Sequence, residues 1–112
     1  MSNIMKEKQV LGLIEHVRIN NHPVLAKVDT GANYNSISSN LARKLNLGPV
    51  VRKLRIKTSN GYSRRDVVRA KLKIKGKVIN ALFNIAERSH MSYSVLIGVR
   101  TLKKGFLIDP SK

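Results

Sequence analysis

The sequence contains no cysteine and no tryptophan. The absence of cysteine excludes disulfide bonds, thiol nucleophiles and cysteine-ligated zinc sites. No apolar run approaches the length that crosses a membrane. The N-terminal segment MSNIMKEKQV also lacks the continuous apolar stretch of a secretory signal peptide. We therefore expect a cytoplasmic protein without a membrane segment.

Acidic residues are also scarce, since 6 Asp and Glu stand against 22 Lys and Arg, a formal net charge of +16. A chain of 112 residues is long enough for one hydrophobic core. We expect a single domain over residues 1–112, with residues 1–8 flexible. The excess charge predicts an electropositive surface and an anionic substrate or partner.

The N-terminal half predicts one hairpin and one helix. Two apolar-rich segments, Val10–Ile19 and Pro23–Val28, flank a polar turn at residues 20–22. Further along, Ser38 or Ser39 is placed to cap a short helix. Leu41, Ala42 and Leu45 would form the apolar face of this helix, which Gly48 and Pro49 would end.

The remainder of the chain predicts strands. Residues 53–58 and 68–75 alternate apolar with basic side chains, as expected of half-buried strands. Residues 59–61 supply a turn between them, and Lys75 and Gly76 supply another before an apolar segment at 78–86. A mainly β domain of short hairpins is therefore expected.

One of the few aspartates ends the apolar run at 24–28 and is followed by a threonine, a glycine and an alanine. This arrangement resembles the active-site turn of aspartic peptidases. A later run of two apolar residues and a glycine resembles the loop that threads beside that turn in retropepsins. The two elements are Asp29, Thr30, Gly31 and Ala32, and Leu96, Ile97 and Gly98.

Three further segments, 58–68, 86–98 and 105–111, resemble the small retropepsin-like proteins labelled "ATP-dependent zinc proteases". The resemblance runs from about Val10 to Ser111. It implies a retropepsin-like closed β-barrel, an acid-protease fold of a single lobe, with one or two short helices. It also implies that Asp29 lies on a loop emerging from the sheet.

The resemblance further implies an aspartic endopeptidase, a hydrolase that uses two carboxylates sharing one proton. One chain offers one such turn, so the second carboxylate would come from Asp29 of a two-fold related chain in a homodimer. Thr30 would bond across to the partner loop, and Gly31 would let the backbone approach the carboxylate. Ala32 and residues 96–98 would support the turn.

The turn at residues 59–61 lies where the resemblance places the flap that closes over a substrate. An ordinary hairpin turn is the alternative interpretation of the same residues. Two arginines follow, and they are candidates to contact acidic substrate side chains. The predicted flap and substrate residues are Ser59, Asn60, Gly61, Tyr62, Arg64 and Arg65.

The chain departs from the retropepsin pattern at two positions. In viral retropepsins an acid follows the DTGA motif, an arginine follows the later glycine, and the two are usually paired. Here those positions hold Asn33 and Val99, while Arg100 comes one position later. We therefore expect the active-site turn to be supported in a different way.

Metal and nucleotide sites have no supporting motif. His16, His22 and His90 lack the paired spacing of zinc ligands, and the scattered glycines form no phosphate-binding loop. We expect no metal and no cofactor.

The basic side chains of the predicted strands are also compatible with a second function. Each strand would carry a cationic row that can hold phosphates, so the alternative is a non-catalytic β-barrel module binding RNA or another anionic polymer. The same charge would attract acidic peptides. Because the resembled family has been linked to glutamate ligases, acidic or polyglutamate substrates are expected. The rows are Lys53, Arg55 and Lys57, and Arg69, Lys71, Lys73 and Lys75.

Overall fold

The structure is a computed structural model that describes residues 8–87 and 92–112. The expected flexibility of residues 1–8 falls outside this description except at Lys8. Within the described residues, nine strands and two short helices follow one another along the chain. They are β1 (Gln9–Leu11), β2 (Ile14–Ile19), β3 (His22–Val28), β4 (Asn35–Ser38), α1 (Ser39–Lys44), β5 (Val50–Thr58), β6 (Gly61–Ile74), β7 (Lys77–Ala86), β8 (Val95–Ile97), α2 (Val99–Leu102) and β9 (Phe106–Ile108).

Six of the strands close into a barrel. Their order is β2, β3, β8, β4, β7 and β6, and β6 returns to pair with β2. The closing pair joins Ile19 to Leu72, and both side chains are fully buried. Closure gives each of these six strands a paired neighbour on both sides. The predicted mainly β domain with a closed barrel and short helices is confirmed.

The alternating sequence pattern explains why the barrel is filled with side chains. Successive side chains of a strand point to opposite faces, so every second residue of β2, and of β6 from Val68 to Ile74, enters the core. Fully buried residues from different strands meet there and exclude water. They include Ile19, Ile37, Leu72, Phe83, Val95 and Ile97.

The first hairpin forms as predicted but is shorter at its N-terminal end. Asn20 and Asn21 adopt φ values of 46° and 72° in the turn. The expected segment Val10–Ile19 is interrupted, because the amide of Gly12 donates to Glu15 Oε2 at 2.6 Å instead of continuing the strand. The residues before this break form β1, which pairs in parallel with β9.

The second hairpin extends beyond the barrel. The first half of β6 pairs with β5, whereas its second half pairs with β7 inside the barrel. Strand β5 lies at the end of the strand order, so β5 and the first half of β6 form an arm. The turns predicted at 59–61 and at Lys75 and Gly76 are both present.

Helix α1 begins where its cap was predicted. Ser38 Oγ accepts a hydrogen bond from the amide of Leu41 at 3.2 Å, and Ala42 is buried. The helix ends at Lys44, earlier than expected, and Leu45 is its C-terminal cap. Asn46 then takes a φ of 55°, which turns the chain away before Gly48.

Two valines that differ in burial provide a test of the core. Val68 is fully buried against the barrel interior, whereas Val78 is 58% exposed. We expect Val68→Ala to lower the free energy of unfolding by about 2 kcal/mol, because it removes two buried methyl groups and leaves a cavity. The control Val78→Ala should change it by less than about 0.5 kcal/mol. Urea denaturation at one protein concentration measures both, and equal effects would contradict the described core.

Candidate active site

Asp29 stands at the point where β3 leaves the barrel. The amide of Val28 donates to the carbonyl of Leu13 at 2.8 Å, and the amide of Asp29 donates to the carbonyl of Ile97 at 2.9 Å. Strands β3 and β8 are parallel, with Val28 opposite Ile97. The two segments that resemble retropepsin loops are therefore adjacent in space, although almost 70 residues separate them in the sequence.

The carboxylate of Asp29 is held on one side. Its Oδ1 accepts a hydrogen bond from the amide of Gly31 at 3.0 Å. The amide of Ala32 donates to the Asp29 carbonyl at 3.2 Å and closes the turn. Within the described residues, Oδ2 of Asp29 has no hydrogen-bond partner from the protein. Asp29 is half-buried, while Thr30 and Gly31 are exposed.

The neighbouring loop requires glycine at position 98. A Cβ atom added to Gly98 would lie 2.5 Å from the carbonyl oxygen of Tyr34. Since φ is −97° at this residue, the requirement is steric and does not come from backbone strain. Ile97 is fully buried and Leu96 is half-buried beside it. Close packing of two backbones thus joins this loop to the chain that follows the Asp29 turn.

A buried asparagine that the sequence analysis missed ties these parts together. Asn35 is 4% exposed, and its Oδ1 accepts from the amide of Gly98 at 2.9 Å. Its Nδ2 donates to Thr101 Oγ1 at 2.8 Å and to the carbonyl of Leu82 at 3.1 Å. A single side chain therefore joins β4, β7, the loop at Gly98 and α2.

A second buried amide extends this network towards the arm. Asn84 Nδ2 donates to the carbonyl of Asn35 at 2.8 Å. Asn84 Oδ1 accepts from Ser36 Oγ and from the Arg65 guanidinium, both at 3.1 Å. Arg65, a predicted substrate residue, thus contacts the barrel at the base of the arm. No sequence motif marks Asn35 or Asn84, because an asparagine in a strand has no characteristic pattern.

Backbone hydrogen bonds join the two segments in which viral retropepsins usually have an ion pair. The amide of Val99 donates to the carbonyl of Ala32 at 2.8 Å, and the amide of Arg100 donates to the carbonyl of Asn33 at 3.1 Å. The Arg100 guanidinium lies 4.7 Å from the centre of the Tyr34 ring, within the range of a cation–π contact. These contacts hold the turn against the start of α2 without a carboxylate.

The remaining predicted flap residues lie at the tip of the arm. Ser59 and Asn60 form its two-residue turn, and Gly61 has a φ of 121° that favours glycine. Tyr62 is 61% exposed, and the Arg55 guanidinium lies 3.9 Å from its ring centre. Arg64 is exposed on the same arm.

The sequence of this chain is similar to known proteins over most of its length. The model of the family described as "gag-polyprotein putative aspartyl protease" matches residues 16–104, which is most of the chain. The chain belongs to the retropepsin-like aspartic protease family. Over 100 residues it is also 33% identical to DNA damage-inducible protein 1 of Saccharomyces cerevisiae. That alignment covers 86% of this chain but only 23% of the yeast protein.

Two solved structures share the fold. A Legionella pneumophila protein of unknown function has a TM-score of 0.69 at 21% identity, over 99% of this chain and 96% of that one. The solution structure of simian foamy virus protease has a TM-score of 0.63 at 18% identity, over 80% of this chain and 91% of that one. The barrel is therefore of the retroviral protease type, as predicted.

The other described acids of this retropepsin-like chain have different surroundings. Glu15 is buried, accepts from the Gly12 amide and lies 3.5 Å from Lys75 Nζ. Asp66 pairs with Lys53 at 2.6 Å on the surface. Ser111 lowers the pKa of Asp109, mainly through the hydrogen bond from its hydroxyl and also through the one from its amide. Glu87 is exposed, and Glu7 lies outside the described residues.

The described residues show neither a metal cluster nor a membrane helix. Across 8–87 and 92–112, no group of three His, Cys, Asp or Glu side chains is placed to hold a metal ion. His16 lies on β2 and His22 begins β3, while His90 is outside the described residues. No helix in these ranges is both long enough and apolar enough to cross a bilayer.

The Asn35 network provides a stability test that is independent of activity. We expect Asn35→Ala to lower the free energy of unfolding by about 1–3 kcal/mol, because the Gly98 amide and the Thr101 hydroxyl would lose a buried partner. Amide exchange at Gly98 should accelerate in the same variant. The control is Asn40→Ala, since Asn40 is exposed and its side chain bonds only Arg43 among the described residues. Unchanged protection at Gly98 would contradict the role assigned to Asn35.

Proposed function

We propose that this protein is an aspartic endopeptidase that is active as a homodimer, with one Asp29 from each chain forming the catalytic dyad. The observation that carries the proposal is the hydrogen bonding of the Asp29 carboxylate, in a chain that belongs to this family. One carboxylate oxygen is held by the Gly31 amide, and the other has no partner within the described residues. Such a carboxylate is suited to share a proton with a second one.

The proposed chemistry uses two carboxylates about 3 Å apart, which cannot both ionise. The ionised carboxylate removes a proton from a water molecule, whose oxygen attacks the peptide carbonyl carbon. The protonated carboxylate donates its proton to the carbonyl oxygen, giving a tetrahedral diol. Proton transfer to the amide nitrogen then breaks the C–N bond and releases an acid and an amine.

The residues around Asp29 would position this dyad. The Gly31 amide orients the carboxylate, and the exposed Thr30 is available to the loop of a second chain. Ala32 accepts from Val99 through its carbonyl, so the turn is supported from the side of α2. Gly98 and its neighbours Leu96 and Ile97 support the turn through β8.

Exposed apolar side chains near the turn support the proposed dimer. Leu13 is 47% exposed, and its carbonyl accepts from Val28, the residue before Asp29. Ile14 and Val10 are 38% and 36% exposed. Burying such a group against a second copy would remove apolar surface from water, and Leu13 lies beside the residue that precedes Asp29.

The charge of the chain supports acidic peptides as substrates, with glutamate-rich or polyglutamate segments as the expected class. Each chain carries +16, so a dimer would attract such segments over a distance set by the ionic strength. Tyr62 and Arg64 lie exposed on the arm, where they would contact a peptide bound under it. Ser59, Asn60 and Gly61 would form the tip of this flap.

The dyad is tested by a substitution that keeps the size of the side chain. We expect Asp29→Asn to abolish peptide hydrolysis, because an amide can neither accept the proton of water nor share one. Removing the repulsion between two carboxylates should leave the fold intact and favour the dimer. The matched control is Glu87→Gln, which neutralises an exposed carboxylate that is not part of the turn and should retain wild-type turnover of a glutamate-rich peptide.

Wild-type turnover by the Asp29→Asn protein would show that another group performs the chemistry. If the wild type cleaves no peptide at any pH from acidic to neutral while it binds RNA tightly, the non-catalytic binding barrel replaces the proposed peptidase.

The need for two chains is tested by mixing. Wild-type protein and the Asp29→Asn variant are combined in equal amounts and allowed to exchange subunits. Mixed dimers would hold one aspartate each, so random pairing should reduce the activity per wild-type chain to about half. Sedimentation velocity should show activity falling together with the dimer on dilution. Activity that is unaffected by mixing and by dilution to monomer would contradict a shared site.

A further inference from the structure

A groove of about 560 Å³ beside α2 contains an unusual concentration of positive charge. Five cationic side chains line it, together with Asn33, Tyr34 and Asn80 and with Asn35, Ala81, Leu82 and Thr101. We call it the basic groove. Its cations are Arg52, Arg69, Arg100, Lys103 and Lys104.

Among the described residues, the lining of the groove gives these cations no acidic partner. No aspartate or glutamate lines the basic groove, and the ion pairs found in the described residues, Lys53 with Asp66 and Glu15 with Lys75, are elsewhere. All five side chains belong to exposed residues. Like charges gathered without counter-charges repel one another, and a bound anion would relieve that repulsion. The composition therefore indicates a site for an anionic group.

Two residues of the basic groove are close in sequence to the candidate active site. Asn33 and Tyr34 line it and follow the Asp29–Ala32 turn directly in the chain. Because consecutive Cα atoms are 3.8 Å apart, Asn33 lies at most about 15 Å from Asp29. An extended peptide cut at the dyad would cover this distance in about four or five residues.

We propose that the basic groove is an exosite that holds an acidic segment of the substrate next to the bond to be cut. This inference rests on the proposed peptidase function and assigns its substrate preference to named residues. Arginines bind carboxylates through paired hydrogen bonds, and Arg52, Arg69 and Arg100 would provide them. The side-chain amides of Asn33 and Asn80 would bond the peptide backbone.

Strand β6 continues the positive surface beyond the groove. Arg69, Lys71 and Lys73 all point outward, since they alternate with buried residues. Their spacing of about 6.6 Å per two residues is also the spacing of same-side side chains in an extended peptide. Lys71 and Lys73 line a second surface depression, together with Arg18. An acidic segment leaving the basic groove would therefore meet further cations.

Peptide is favoured over RNA by the aromatic content of the groove. Tyr34 is the one aromatic side chain among the described residues that line it, and the Arg100 guanidinium already covers its ring at 4.7 Å. Recognition of unpaired bases depends on open aromatic faces. The basic groove offers a single aromatic ring with a guanidinium over it, whereas it offers several charged and amide groups to a peptide.

Binding is measured first, in an Asp29→Asn background so that the probe is not cut. Labelled probes are a glutamate-rich peptide, a glutamine-rich peptide of equal length and single-stranded RNA of matched charge. We expect Arg69→Glu and Lys103→Glu each to weaken binding of the glutamate-rich peptide by about fivefold, as for loss of one exposed ion pair. The control Lys44→Glu makes the same charge change in α1, outside the groove, and should have less than half that effect.

Cleavage is measured next, with one core peptide made with and without an acidic extension. We expect the wild type to have the higher kcat/KM for the extended peptide. Arg69→Glu should reduce the ratio of the two kcat/KM values by about fivefold, through KM. The Lys44→Glu control should keep the wild-type ratio.

The exosite and the peptidase activity can fail independently, and different results would show which of them is wrong. Cleavage of both peptides at equal efficiency, with peptide binding unaffected by the reversals, would overturn the exosite and leave the peptidase standing. Loss of peptide binding in Arg69→Glu without any cleavage by the wild type would support acidic-peptide binding at the groove and overturn the peptidase. RNA binding that is tighter than peptide binding and is lost in the same variants would overturn the peptide assignment.

Discussion

The packing of the chain around Asp29 depends on the hydrogen bonds that the buried side chain of Asn35 makes. It satisfies the amide of Gly98 and the hydroxyl of Thr101 at the start of α2, and the carbonyl of Leu82 in β7. The bonds to Gly98 and Thr101 are buried, and the loss of a hydrogen-bond partner is unfavourable in the interior. A neutral amide is well suited here, because it both donates and accepts and does not have to be desolvated as an ion. The turn is therefore supported by an amide network and backbone contacts.

The same preference for neutral support is consistent with the composition. A chain with so few acids cannot pair most of its cations, and Glu15 is the one acid that is buried within the described residues. Its carboxylate holds Gly12 and lies near Lys75, so it stabilises the break between β1 and β2. The unpaired cations are consequently left on the outer faces of the strands, where water solvates them. The basic groove gathers five of them.

The proposed peptidase requires features that one barrel does not contain. A single chain presents one Asp29, held on one side by Gly31 and open on the other, next to exposed apolar residues such as Leu13. A two-fold axis beside the turn would bring the second carboxylate, cover this apolar surface and place one arm from each chain over the same cleft. It would also place one basic groove on each side of the dyad. Catalysis and substrate preference would then arise from the same symmetry.

Some features depend on neighbouring residues alone, so local sequence determined them. They are the outward and inward faces of β2 and β6, the turn at Asn20 and Asn21, the cap at Ser38 and the DTG turn. The likeness to known retropepsins added the barrel. Tertiary structure alone decided which polar groups are buried. Asn35 and Asn84 have no sequence signature, since their partners come from distant strands that meet only when the barrel closes. For the same reason the basic groove, which gathers cations from β5, β6 and the segment around α2, is invisible in a sequence whose lysines and arginines are spread along the whole chain.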